Sequence, residues 1–176
     1  MSAAWTEGAR ATAAARPSFG LGIAALRIAF GLLFLGNGLV KLLPIPTSTP
    51  IGSFLDSNSA YAYLEAQVVS AGHPVGPYRA LVEQIILPNW NVFGPLLGLA
   101  ETVAGALLVL GLLVPVAGLI LAAMMLHLHF ATIFNGIFAA EYPVYWVPLL
   151  ALALTRAGRW HGLDERLARD RPGWWG

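Results

Sequence analysis

Apolar residues run along this chain in long blocks, not in the short alternating runs that strands produce. Leu21 to Leu43, Asn91 to Leu113 and Val116 to about Ile137 are three such blocks, and Tyr142 to Trp160 is a shorter fourth. A helix rises about 1.5 Å per residue and the hydrocarbon layer is about 30 Å thick, so roughly 20 apolar residues cross a bilayer. The fourth block reaches that length only if Arg156 and Arg159 snorkel to the headgroups. The pattern predicts an all-α integral membrane protein, a four-helix bundle with spans at 21–43, 91–113, 116–137 and 142–160.

The connections refine this layout. Gly111 and Pro115 bracket a turn so short that the second and third spans are antiparallel neighbours, and "GIFAAEYP", with Pro143 suited to a first helical turn, joins the third to the fourth as tightly. Residues 44–90 form a longer connection. Within it, Phe54, Tyr61, Leu64 and Val68 recur at helical spacing after capping residues. "PYRALVEQIILPN" repeats the pattern, with Arg79 and Glu83 one turn apart, so two short helices forming an external cap are expected in place of a solvated loop. Residues 1–19 are Ala-rich and read as a disordered cytoplasmic tail; residues 161–176 read as a second cytoplasmic tail.

Composition agrees with a membrane protein: 57% of the 176 residues are hydrophobic, 11% are charged, and mean hydropathy is +0.69. The absence of cysteine excludes disulfides, thiol catalysis and cysteine-ligated metal. A net charge of +1 gives no case for nucleic acid as a partner. Arg10 and Arg16 precede the first span and Arg156, Arg159, Arg166, Arg169 and Arg171 close or follow the last, whereas the long connection carries only Arg79. The positive-inside rule therefore places both termini in the cytoplasm of a multi-pass protein of the cell membrane, with the first span retained.

Against that apolar background the polar residues stand out. Glu101 lies in the middle of the second span, where an ionisable group costs at least about 2.5–3.5 kcal/mol and persists only facing protein or water. Gly94, Gly98, Glu101 and Gly105 share one helical face, which sets the acid in a close-packed seam. On the first span Arg27, Gly31, Phe34, Gly38 and Lys41 share a face, with Asn37 about 40° from Lys41. Counting helical rise puts Glu101 about 13–14 Å deep, within about 10 Å in depth of Lys41 and Asn37, while Arg27 is too far toward the other side. A Lys41–Glu101 pair, direct or through Asn37 and water, is the most economical neutralisation; the alternatives are snorkelling of Lys41 and Arg27 and a neutral Glu101 needing only a hydrogen bond. The third span supplies His127 and His129 at the same depth. His129 shares a face with Gly118, Ala122, Met125 and Gly136 and is the preferred neighbour of Glu101, against the plainer role of a satisfied core histidine. His-x-His splays its rings apart on a helix, and histidines occur on only one span, so no metal or haem site is expected.

Arg27, "GNGLVKL", "AETVAGALLVLG", the third-span histidine, "EYP" and "AGRWHGLDERLAR" occur in the order of the DoxX-like membrane family, which the chain resembles over residues 22–168. "PNW" before the second span and the long connection are similar to the DoxD branch, the small membrane subunit of thiosulfate:quinone oxidoreductase. The resemblance implies a four-helix membrane protein that partners other subunits of an oxidoreductase complex and passes electrons to a quinone, with Arg27, Lys41 and Glu101 at its polar positions. The expected function is thus a membrane subunit of a quinone-linked oxidoreductase, with no intrinsic cofactor, a quinone as its lipophilic ligand, and Glu101, His129, Lys41, Asn37 and Arg27 as site residues. The alternative is a non-catalytic membrane anchor or assembly subunit. A proton or solute conductor is disfavoured by the apolar cytoplasmic halves of spans two and three.

Overall fold

The apolar blocks form helices. The computed structural model describes the backbone of residues 3–45, 56–136 and 141–170, and the side chains of these from Phe19 onward. Helix α1 (Ala3–Leu42) starts inside the stretch read as a disordered tail and carries the first apolar block from Phe19 to Leu42. The connection to α4 holds α2 (Ser57–Leu64), extended by a π-helical turn over Glu65–Ser70, and α3 (Gly76–Leu81), which passes through π and 3₁₀ turns directly into α4 (Trp90–Leu110). Helices α5 (Val114–Thr132), α6 (Pro143–Leu154) and α7 (Leu163–Asp170) complete the chain. Among the described residues there is no strand.

The chain is an all-α membrane protein. Phe19–Leu42, Gly76–Leu110 and Val114–Thr132 are long and apolar enough to cross a bilayer. Their outward faces carry Leu32, Leu99, Val103, Leu119, Ile120 and Leu126, all exposed, as suits lipid contact. Helix α6, at 12 residues, spans about 18 Å, because Thr155 and a left-handed Arg156 end it before the 3₁₀ turn at Ala157–Arg159. The segments 46–55, which includes Phe54, and 137–140, where the third span was expected to end, lie outside the described residues, as do residues 171–176.

Two helix pairs build the interior. α1 and α4 pack along their glycine faces: a Cβ on Gly38 would lie 2.4 Å from the Thr102 amide nitrogen, and one on Gly105 would lie 2.4 Å from that of Leu35. Small residues let the two backbones approach this closely. In the second pair, Gly118 of α5 lies against α6, where its Cβ would sit 2.9 Å from the Leu149 carbonyl and 3.0 Å from Ala153. Phe34, Leu108, Leu121, Met125 and Leu149 fill the core between the pairs.

Each end is locked differently. At the Lys41 end, α2 and α3 form a cap whose own core is Leu64, Val68, Val82 and Leu87 with Ala131 of α5. His73 fastens this cap: Phe130 offers only a carbonyl, so His73 Nε2 donates to it at 3.1 Å, and Nδ1 accepts from the Val75 amide at 3.2 Å. At the opposite end Gly111 terminates α4 at φ 67°, and a side chain there would collide with Arg27 Nη1. Asp164 then caps α5, accepting from the amides of Leu113 at 2.9 Å and Val114 at 3.2 Å while its own amide donates to Gly111 at 2.8 Å.

Candidate functional site

Lys41 and Glu101 meet because the glycine seam brings their helices together. A Cβ on Gly98, less than one turn before Glu101, would lie 2.9 Å from the Lys41 Cβ. Lys41 Nζ sits 2.8 Å from Glu101 Oε2, and the two side chains are only 3% and 4% exposed. The ammonium also donates to the Asn37 carbonyl at 3.1 Å. An ammonium has three N–H groups, so one remains after these two contacts. Glu101 Oε2, in ion-pair contact with Lys41, has no hydrogen-bond partner among the described residues. The pair is thus a buried charge couple with spare donor and acceptor capacity.

That spare capacity faces a cavity. About 700 Å³ of space lies between the two helix pairs, beneath the cap, with Lys41, Asn37 and Glu101 on its wall. Leu33, Phe34, Phe93, Leu97, Met124 and Leu128 make its apolar body. Tyr63, His127, Glu141 and Tyr142 also line it. Tyr63 of the cap and Tyr142, at the start of α6, share a hydrogen bond of 2.6 Å, and Tyr78 of the cap bonds His127 Nε2 at 2.9 Å. Volume and lining fall within the range of small-molecule sites: mostly apolar, with a few converging polar groups.

The other predicted positions lie elsewhere. His129 is not among the residues lining the cavity; it stacks on Tyr142 and Trp146, and Trp146 Nε1, which can only donate, bonds its Nδ1 at 3.3 Å. The ring proton therefore sits on Nε2, buried without a partner among the described residues. Arg27 is 1% exposed at the far end, donating to the Leu108 carbonyl at 3.0 Å and to that of His161 at 3.4 Å. The Asp164 carboxylate acts electrostatically on the same guanidinium. Arg27 thus ties α1 to the end of α4 and to the segment before α7, away from the cavity. Sequence reasoning missed Tyr63, Tyr142 and His127 as cavity residues and Asp164 as a cap; "GLD" so close to a last span was the available signal for the latter. Among the described residues no cluster of acids and histidines could hold a metal ion.

A membrane protein with an ion pair sealed between its helices and a cavity beside it is the class that fold and site define. The DoxX family model matches residues 22–134, and the chain belongs to that family. No curated protein matched the chain. No solved structure matched it either.

Proposed function

We propose that this DoxX-family chain is the membrane subunit of a quinone-linked oxidoreductase complex and that its cavity receives the quinone ring. The observation that carries this reading is the Lys41–Glu101 pair, held in apolar surroundings on the wall of a cavity of ligand size. The remaining Lys41 N–H is suited to a quinone carbonyl and the Glu101 carboxylate to a quinol hydroxyl, in a medium where each such bond is strong. His127 and the Tyr63–Tyr142 pair supply further hydrogen-bonding groups at the same wall. Electrons for the quinone would come from a partner subunit or from a bound cofactor.

In the membrane, the arginine distribution favours both termini in the cytoplasm and the α2–α3 cap on the outer side. Four crossings, with α6 as the short fourth, satisfy that arrangement. The second reading, an anchor that only assembles a complex, draws support from the Arg27 and Asp164 ties, which join helix ends away from the cavity. Purifying the chain with its partners from membranes and assaying quinone-dependent turnover separates the two. The quinone reading expects Glu101→Gln and Lys41→Met to lose turnover in complexes that still assemble. Full turnover in both variants would leave the anchor role.

A further inference from the structure

The cavity wall is not closed all round. Most of its lining is buried or half-buried, but Leu96 of α4 is 57% exposed, and Ala123 and His127 of α5 and Glu141, just before α6, are exposed as well. Ala123 and His127 are one helical turn apart, on one stripe of α5. Helical rise from the turn between α4 and α5 places Leu96 about 25 Å along α4, and His127 about 22 Å and Ala123 about 16 Å along α5, so Leu96 and His127 stand at nearly one height on adjacent antiparallel helices with Ala123 one turn closer to that turn. The two helices are pinned at the far end, where Asp164 and Gly111 bind their junction. On α5 the packed stripe of Gly118, Leu121 and Met125 serves the core and α6, leaving the Ala123 stripe uncovered.

The cavity wall combines polar groups, Lys41, Glu101, Tyr63 and Tyr142, with apolar Leu33, Leu97 and Met124. A molecule satisfying both kinds of lining has a compact polar head and an apolar remainder. The neighbouring outward residues Leu99, Leu119, Ile120 and Leu126 are exposed and apolar, so an opening at Ala123 leads into hydrocarbon and not into water.

We infer that the cavity opens sideways into the bilayer between α4 and α5, with Ala123 at the threshold, and that its ligand is an amphiphile holding its head at Lys41 and Glu101 while its tail stays in the lipid. The inference rests on the quinone reading only for the choice of ligand probe. It adds that the tail, not only the ring, is part of what the site recognises.

The test uses the full chain in lipid nanodiscs and two probes, a quinone bearing a decyl tail and the same ring without one. For Ala123→Trp, binding of the tailed quinone should weaken by about tenfold or more and that of the bare ring by under about threefold. Equal weakening of both, or none for the tailed quinone, would overturn the side opening. Ala123→Met replaces the tryptophan variant if the latter fails to fold. If the unmodified chain binds neither probe, the quinone reading fails, and the opening is then judged by a nitroxide on Leu97→Cys in this cysteine-free chain. Dissolved oxygen should relax that label more than a water-soluble nickel chelate does, and Ala123→Trp should reduce the oxygen effect. Stronger relaxation by the chelate would mean that the cavity opens to water.

Discussion

Replacing Lys41 by Met removes one half of a pair that is 2.8 Å apart and almost wholly buried. At an effective dielectric near 20, a separation of that size corresponds to about 6 kcal/mol of attraction before desolvation is subtracted. Desolvation costs several kcal/mol per ion, so the intact pair contributes little net stability; a lone buried charge, however, costs about 3–5 kcal/mol. The asymmetry is what can be measured. Lys41→Met should destabilise the chain by about 3 kcal/mol, and adding Glu101→Gln should recover at least half of that loss, because the stranded charge is gone. Reversible unfolding of the four proteins of this cycle, followed by circular dichroism in mixed micelles with increasing SDS, gives the coupling directly. Losses that add to within about 0.5 kcal/mol would show that the two groups do not interact and would refute the reasoning.

The α1–α4 seam predicts that Gly105→Ala, whose Cβ would meet the Leu35 backbone, costs about 1–3 kcal/mol, whereas Gly22→Ala, with nothing near its Cβ, costs nothing measurable by the same unfolding assay. Asp164→Ala should cost about 1 kcal/mol by freeing the Leu113 and Val114 amides, and hydrogen exchange should quicken at the start of α5. Asp56 caps α2, and the Ser59 backbone N–H donating to it at 2.7 Å holds its carboxyl below the usual carboxylate range. A depressed folded-state value means that the contribution is full above the ordinary carboxylate value and fades as pH falls through the lowered one. Protection factors of the α2 amides, taken relative to intrinsic exchange at each pH, should therefore fall selectively on acidification through that window, and Asp56→Asn should remove this pH dependence.

The faces of α1 and α4 were legible because glycine and charge recur at helical period on both: Gly31, Gly38 and Lys41 on one, Gly98, Glu101 and Gly105 on the other. Depth was legible too, since helical rise converts residue number to height. Rotation was not legible for α5. Its small-residue stripe does point inward, but toward α6, where Gly118 lies against Leu149 and Ala153, and His129 follows it to Trp146. His127, on a different face, is the histidine at the cavity. Single-helix periodicity says which side packs, not which neighbour receives it. The Tyr63–Tyr142 and Leu113–Asp164 contacts join residues far apart in sequence through groups that carry no local signature, so only the folded chain reveals them.

If Lys41 and Glu101 hold a quinone ring in the cavity between the helix pairs, infrared difference spectroscopy of carbonyl-labelled quinone bound to the purified chain reads the contact at the carbonyl itself. The band should shift to lower frequency through the Lys41 hydrogen bond, and the shift should be lost in Lys41→Met. A band identical in the unmodified chain, Lys41→Met and Glu101→Gln would mean that neither side chain touches the ring.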